Sequence, residues 1–255
     1  MKAVILAGGF GTRISEESAV RPKPMVEIGG KPILWHIMKT YAFHGVRDFV
    51  VCTGYKGHVI REYFANYWLN ATDVTFDLGA NSTTPHSSRV EPWKVTVLDT
   101  GIDTMTGGRL LRARDHIGDE PFCVTYGDCL SSIDISSLVD FHRATDAVGT
   151  LTAIQPPGRF GALELEGDAV STFHEKPDGD GGWVNGGFFV FDPAVFEYIE
   201  GDDTVLERGP LETLASLGRL KAYRHSGYWQ NLDSLRDKTI LEQEWVSDTP
   251  GWKVW

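Results

Sequence analysis

The sequence has few cysteines and lacks any long apolar run. Its three cysteines (Cys52, Cys123 and Cys129) are odd in number and show no CxxC spacing, which excludes a disulfide scaffold and favours reduced thiols. No apolar run approaches the ~18–20 residues that a membrane helix needs. Near the N-terminus the apolar stretch covers only Ala3 to Ala7, which is shorter than the ~7–15 residues of an export signal. These absences predict a cytoplasmic protein that does not contact the membrane.

The sequence is also short of positive charge. It carries 24 Lys and Arg against 35 Asp and Glu, which gives a formal net charge of −11. A chain this acidic is not expected to bind nucleic acid or an anionic membrane through a general basic surface. Any anionic ligand must therefore be held by a local group of basic side chains. The 255 residues, of which 42% are hydrophobic and 23% charged, have the composition of a globular protein.

Short apolar segments alternate with segments of helical periodicity. Lys2–Ala7, Asp48–Thr53 and Pro121–Tyr126 have the pattern of buried strands, and amphipathic segments separate them. This alternation predicts an α/β fold of Rossmann-like type, with a mostly parallel mixed sheet flanked by helices. Residues 156–192 lack a long helical segment, so we expect hairpins and a mixed sheet edge there. The polar stretch Gly79–Pro92 predicts a long loop.

A glycine-rich loop follows the first predicted strand and reads Leu6-Ala7-Gly8-Gly9-Phe10-Gly11-Thr12-Arg13. The backbone N–H groups of such a loop can hold a phosphate. The loop does not fit the dinucleotide-binding GxGxxG pattern, because position 14 is Ile, and it lacks the Lys-Ser/Thr pair of a P-loop. A purely structural tight turn is the alternative. Since Arg13 and Lys23 add two cations, we favour a polyphosphate site.

Asp128 directly follows a predicted strand and the residues Tyr126-Gly127. Ligands of open α/β sheets gather at the carboxyl ends of the strands, where the glycine-rich loop also lies. A carboxylate beside a polyphosphate is suited to bind Mg²⁺. The alternative for such an aspartate is to cap a helix N-terminus. Asp233 precedes a predicted helix, so the same alternative applies to it.

The order GGxGTR…KP after an N-terminal strand resembles the signature of the sugar-1-phosphate nucleotidyltransferases. The resemblance is to one branch, the glucose-1-phosphate cytidylyltransferases, and it covers nearly the whole chain. The matching stretches are residues 1–45, GYKG (54–57), EPWKVTVLDTG (91–101), TGGRL (106–110), TYGD (125–128), PPGRFGAL (156–163), EKP (175–177), NGGFFV (185–190) and GYWQNLDSLRDK (227–238). The family usually has glycine after TYGD, where this chain has Cys129.

The resemblance implies roles for individual residues. Arg13, Lys23 and Asp128 would be catalytic, and Asp128 and Asp233 would hold Mg²⁺. The nucleotide would bind at Leu6, Ala7, Gly8, Gly9, Gly11, Thr12, Thr104, Arg109 and Gly127. The sugar phosphate would bind at Glu175, Lys176, Asn185 and Gly187, with Trp229, Tyr228 and Phe160 as candidate walls of its pocket.

The reaction implied by the resemblance is CTP plus α-D-glucose 1-phosphate to CDP-glucose plus pyrophosphate, by in-line, Mg²⁺-dependent transfer.

A single domain over residues 1–255 is expected, with a nucleotide-binding half (1–155) and a sugar-binding and C-terminal half (156–255). The family also implies a homo-oligomer, hexamers among them. The polar stretch Gly79–Pro92, together with Thr100–Arg109, would close over CTP or reach a neighbouring subunit. The alternatives are the same reaction with UTP, dTTP or a modified sugar phosphate, and a non-catalytic sugar-nucleotide sensor.

Overall fold

A twisted seven-stranded sheet forms the centre of the computed structural model, which describes residues 1–18, 20–156, 162–166, 169–174, 182–247 and 249–255. Its strands are β1 (Lys2–Ala7), β4 (Asp48–Thr53), β7 (Lys94–Asp99), β8 (Phe122–Tyr126), β10 (Gly149–Ile154), β13 (Val184–Phe191) and β14 (Leu220–His225). They lie in the order β14-β10-β13-β8-β1-β4-β7. Neighbours are parallel except at β13, which is antiparallel to both β8 and β10. The predicted α/β fold with a mostly parallel mixed sheet is confirmed.

Helices cover both faces of this sheet, because alternate residues of a strand point to opposite sides. In β1, Ala3 and Ile5 belong to one buried apolar cluster, and Val4 and Leu6 belong to the other. The described helices are α1 (Ser15–Ser18), α2 (Ile33–Phe43), α3 (Gly57–Ala65), α4 (Tyr67–Asn70), α5 (Thr106–Arg112), α6 (Arg114–Ile117), α7 (Ile135–Arg143), α8 (Gly209–Ser216) and α9 (Leu235–Trp245), with 3-10 turns at Thr12–Ile14, Lys23–Met25 and Pro193–Tyr198. None of the helices in these described ranges has both the length and the apolar content to cross a membrane.

The described residues also form four small antiparallel strand pairs outside the main sheet. They are β2 (Glu27–Ile28) with β3 (Lys31–Pro32), β5 (Thr72–Asp77) with β6 (Ser82–Ser88), β9 (Cys129–Ser131) with β15 (Trp229–Asn231), and β11 (Ala162–Glu166) with β12 (Ala169–His174). The prediction of a loop over Gly79–Pro92 was wrong, since this segment contains β6. The residues of β6 are all polar or proline and all exposed, so no apolar alternation marks the strand.

The position of β13 also differs from the expected mixed sheet edge. This strand lies between β8 and β10, inside the sheet. Its last four residues, Phe188–Phe191, are buried, as expected for a strand covered on both faces. Because β13 runs opposite to β8, its first residues lie beside the carboxyl end of β8. Asn185 and Gly187 are thereby brought to the same edge as the glycine-rich loop.

The C-terminal residues pack against the segment that follows Lys23. His36 on α2 is fully buried against Trp245 and Trp252. Its Nδ1 accepts a hydrogen bond from Trp252 Nε1 at 3.4 Å, and its Nε2 donates to the Ile28 carbonyl at 2.9 Å. Both ring nitrogens are therefore satisfied when the imidazole is neutral. Burial lowers the pKa of His36 to about 4.

Stability is expected to fall when the pH drops from about 6.5 to 4. The unfolded state binds a proton on His36 near its ordinary pKa of 6.5, whereas the folded state takes it up only near 4. The difference corresponds to about 3 kcal/mol of unfolding free energy lost as the pH falls through this window. Denaturant unfolding at several pH values measures it. His36→Gln should flatten this pH dependence, whereas His58→Gln, at an exposed histidine, should not; equal slopes for both variants would contradict the assignment.

Candidate active site

A cavity with a volume of about 790 Å³ opens at the carboxyl ends of β1 and β8. This size suits a ligand such as a nucleotide. The predicted catalytic, metal-binding, nucleotide-binding and sugar-binding residues whose side chains are described all line it, namely Leu6, Ala7, Gly8, Gly9, Gly11, Thr12, Lys23, Thr104, Arg109, Gly127, Asp128, Asn185, Gly187 and Asp233. Glu175, Lys176 and Phe160 lie outside the described residues. Arg13 lies in the 3-10 turn Thr12–Ile14, and its side chain is outside the described part of the structure.

The glycine-rich loop leaves β1 as an open turn along one wall of the cavity. Gly11 has a φ of +65°, a conformation that L side chains rarely adopt, so glycine is required there. The Gly11 carbonyl accepts a hydrogen bond from Ser18 Oγ at 2.9 Å, which ties the loop to α1. A Cβ atom at Gly9 would meet no atom within 4 Å, because this residue faces open space. The loop thus presents backbone to the cavity.

Arg109 holds the glycine-rich loop in place through hydrogen bonds. It is 5% exposed, and its guanidinium donates to the carbonyls of Gly8 (3.1 Å), Thr53 (3.1 Å), Gly101 (2.7 Å) and Ile102 (3.3 Å), and to Thr100 Oγ1 (2.9 Å). Burial lowers the pKa of Arg109. Four of its five acceptors are backbone carbonyls from three separate segments. Arg109 therefore joins the glycine loop, the end of β4 and the turn after β7.

Gly8→Ala and Gly9→Ala are expected to behave differently, although the two glycines are adjacent. A Cβ atom at Gly8 would overlap the Arg109 guanidinium, which its hydrogen bonds hold in place. Overpacking of this kind costs about 1–3 kcal/mol of stability. Gly9→Ala meets no neighbour, so its unfolding free energy should stay within about 0.5 kcal/mol of the original. Denaturant unfolding of both variants measures the difference. Equal stabilities would show that the Arg109 side chain moves aside without cost and would contradict this prediction.

Lys23 bridges two carboxylates that line the cavity with it. Its Nζ lies 2.6 Å from Asp128 Oδ2 and 2.6 Å from Asp233 Oδ1, with 12% of the lysine side chain exposed. Burial opposes the charge of the ammonium, but the two carboxylates outweigh it and raise the pKa of Lys23. The lysine is therefore a cation at the pH of the cell. Asn231 Nδ2 donates to the other oxygen of Asp233 at 2.5 Å.

Pairing of β9 with β15 brings the two carboxylates together. Asp128 lies in the turn between β8 and β9, and Asp233 follows β15. The Leu232 N–H donates to the Asp128 carbonyl at 2.9 Å, which extends the pairing to the turn. The helix-cap alternative is wrong for both aspartates. Ser234 caps α9 in a capping box with Asp237, and Asp128 precedes a strand.

The donor set at this point fits a hard divalent cation. Two carboxylates already surround a positive charge, and Mg²⁺ prefers one or two carboxylates plus phosphate oxygens from its ligand. No group of three or more Asp, Glu, His or Cys residues able to hold a metal occurs among the described residues. A cation held here would therefore need oxygen ligands from the bound nucleotide.

The opposite wall of the cavity is formed by Tyr126, Trp229 and the start of β13. Gly187 has a φ of +79°, and a Cβ atom there would lie 2.6 Å from the Tyr126 ring. Asn185 Oδ1 accepts from the Gly187 N–H at 2.9 Å, and Trp229 Nε1 donates to the Gly186 carbonyl at 2.8 Å. Trp229 thus lines the cavity, and its role as a wall of the sugar pocket stays a prediction. Tyr228 does not line the cavity; it packs on Trp252 and donates to Glu244.

Sequence reasoning missed several residues that line the cavity. Most are neighbours of recognised motifs, and their side chains carry no pattern of their own. They are Phe10, Pro24, Ile102, Asp103, Met105, Thr106, Tyr126, Cys129, Gly186 and Asn231. Cys129, where the family usually has glycine, is accommodated because it lies in β9 and has no positive φ.

Comparison with known families shows where the chain belongs. The family model described as Nucleotidyl transferase matches residues 2–234. The chain belongs to the nucleotidyl transferase family. Within this family it is 56% identical over 256 aligned positions to the glucose-1-phosphate cytidylyltransferase of Salmonella typhi, covering both chains completely. It is 45% identical to the probable glucose-1-phosphate cytidylyltransferase of Bacillus subtilis, again over the full length of both. The resemblance to this branch of the nucleotidyl transferases is confirmed.

Solved structures with the same fold are more distant in sequence. HddC from Yersinia pseudotuberculosis superimposes with a TM-score of 0.69 at 23% identity, covering 96% of this chain and 99% of that one. A UDP-glucose pyrophosphorylase complexed with UDP-glucose gives a TM-score of 0.68 at 18% identity, covering 96% and 97%. Because both identities are below 25%, these two structures show only that the fold is shared.

Proposed function

We propose that the protein transfers a cytidylyl group from CTP to α-D-glucose 1-phosphate and forms CDP-glucose and pyrophosphate. The reaction class is supported by one observation above all, the Lys23 ammonium held between Asp128 and Asp233 beside an open glycine loop. The choice of CTP and glucose 1-phosphate is supported by the relatives named glucose-1-phosphate cytidylyltransferase, which match the chain over its full length. Residues 1–155 would hold the nucleotide, and residues 156–255 the sugar together with Asp233.

In this reaction a phosphate oxygen of the sugar phosphate attacks the α-phosphorus of CTP in line. One P–O bond forms, and the bond to the leaving pyrophosphate breaks, so no covalent enzyme intermediate is needed. The glycine loop, with Leu6, Ala7, Thr12 and Gly127 around it, would position the triphosphate. Arg13 and Lys23 would stabilise the charge that develops on pyrophosphate. Mg²⁺ held by Asp128 and Asp233 would supply charge neutralisation at the phosphates.

On the sugar side, Asn185 would hydrogen-bond hydroxyl groups of the glucose ring. The positive φ at Gly187 keeps this point of the wall free of a side chain, so that the sugar can approach the backbone. Glu175 and Lys176 would contact the sugar hydroxyls and the sugar phosphate. Thr104 would line the nucleotide side, and Arg109 would act there by holding the loop in shape.

The test is a matrix of nucleoside triphosphates against sugar 1-phosphates, scored by pyrophosphate release with and without Mg²⁺. CTP with glucose 1-phosphate should give the highest kcat/KM, and chelation of divalent metal should abolish it. A higher kcat/KM with UTP, dTTP or another sugar phosphate would correct the substrates and keep the reaction class. Binding of nucleotide without pyrophosphate release from any pair would favour the sugar-nucleotide sensor.

We also propose that the protein forms a homo-oligomer through the exposed hairpin β5–β6. Residues Ile102 to Thr106 line the described cavity, whereas the hairpin residues do not. A role in covering CTP therefore suits residues Ile102 to Thr106 and not the hairpin. Phe76 is 55% and Leu78 91% exposed on the hairpin, as suits a surface that contacts a second copy. Sedimentation should show an oligomer. The double variant Phe76→Ser, Leu78→Ser should weaken the oligomer. If the unsubstituted protein is a monomer, the proposal of a homo-oligomer is refuted.

A further inference from the structure

Two walls of the cavity are joined through a carboxylate that does not itself line it. Glu207 lies in the segment before α8, on the far side of the cavity wall. Its Oε2 accepts a hydrogen bond from Thr106 Oγ1 at 2.7 Å, and its Oε1 accepts one from the Tyr126 hydroxyl. Thr106 belongs to the nucleotide side, and Tyr126 belongs to the sugar side. One carboxylate thus receives donors from both sides.

Each end of this connection is fixed further. Thr106 Oγ1 accepts from the Leu206 N–H at 2.9 Å, so the hydroxyl hydrogen is directed at Glu207. The Met105 N–H donates to the Asp202 carbonyl at 2.8 Å, which fixes the preceding residue of the same wall. The segment that carries Glu207 therefore supports the start of α5 and the loop before it.

On the other side, Tyr126 is in contact with the sugar-side start of β13 through Gly187. Its ring lies so close to Gly187 that an added Cβ atom there would be 2.6 Å from it. The Asn185 amide oxygen is engaged by the Gly187 N–H at 2.9 Å. Burial, followed by the charge of Glu207, raises the pKa of Tyr126, so the phenol keeps the proton that it donates.

We propose that Glu207 is a positioning residue that couples the two substrate subsites, by holding Thr106 at the nucleotide side and Tyr126, which packs on Gly187, at the sugar side. This inference rests on the proposed function. If the carboxylate is removed, the hydroxyls of Thr106 and Tyr126 both lose their half-buried acceptor. The two walls then move independently, and affinity falls for both substrates. A residue that only supports the fold would change the fraction of active protein and leave each KM unchanged.

The test compares KM and kcat for CTP and for glucose 1-phosphate in a set of variants. Glu207→Ala should raise both KM values about 10-fold, the loss expected for hydrogen bonds to a charged group. Thr106→Val should raise mainly the KM for CTP, and Tyr126→Phe mainly that for glucose 1-phosphate. Glu212→Ala, at an exposed carboxylate in the first turn of α8, is the matched control and should change neither.

Glu207→Gln keeps the shape and one acceptor, so it should raise both KM values less than Glu207→Ala does. It also provides the comparison if Glu207→Ala does not fold. Unchanged KM values in Glu207→Gln and in any folded Glu207→Ala, or a rise for only one substrate, would overturn the coupling while the proposed function stands. If the unsubstituted protein turned over no pair of nucleotide and sugar phosphate, the proposed function would be refuted, and the inference with it.

Discussion

Lys23→Ala should lower kcat by about 10²–10³, because a charged group used mainly in the transition state contributes about 3–4 kcal/mol. The variant loses the cation that faces the leaving pyrophosphate, and it also leaves Asp128 and Asp233 close together without the ammonium that lies 2.6 Å from each. Lys23→Arg should not restore turnover, since a planar guanidinium cannot replace a compact ammonium between two carboxylates. Steady-state pyrophosphate release at saturating substrates measures the effect.

Lys39→Ala is the control for this experiment. Lys39 is also partly buried and paired with a carboxylate, at 3.0 Å from Glu91, but it does not line the cavity. Its removal should leave kcat nearly unchanged, because Lys39 lies outside the cavity that would hold the reacting groups. A kcat for Lys23→Ala close to that of Lys39→Ala would contradict the catalytic role.

Asp128→Asn and Asp233→Asn should each lower kcat by about 10²–10³ at saturating Mg²⁺. Both remove a negative oxygen from one cation site, so the double variant should be much less impaired than the product of the two effects. Direct titration with Mn²⁺, followed by electron paramagnetic resonance in the presence of CTP, should show weaker metal binding in each variant. This measurement does not depend on turnover.

Asp48→Asn provides the matched control for the aspartates. Asp48 begins β4 at the opposite edge of the sheet and pairs with Lys94 at 3.5 Å. Its substitution should change neither kcat nor Mn²⁺ binding. If Asp233→Asn retained full activity and metal binding, Asp128 would be the only protein ligand, and Asp233 would serve to orient Lys23.

The local elements of the nucleotide side could be predicted because each is encoded in contiguous residues. A buried strand, an open glycine turn and a conformation that needs glycine at Gly11 follow one another within a few positions. The same holds for the fold class, since alternating strands and helices allow few arrangements. The family resemblance added the roles of residues such as Asp233, whose surroundings carry no local signal.

Two of the strands that the sequence did not reveal share a physical cause. β6 is exposed along its whole length, and β14 (Leu220–His225) lies at the edge of the sheet with half-buried residues. Their backbone pairing, rather than apolar alternation, holds them in place. The inner position of β13 depended on its antiparallel pairing with both neighbours, which no local pattern specifies.

The sequence by itself determined the fold class, the glycine loop and the chemical types of the candidate site residues. Only the tertiary structure decided which of those residues meet. The Lys23 ammonium contacts carboxylates 105 and 210 residues away in sequence, and Glu207 joins Thr106 to Tyr126 across three segments. Such contacts depend on strand order and on the pairing of β9 with β15. Periodicity in the sequence reports which face of an element is buried, but it carries no information about the partner that covers it.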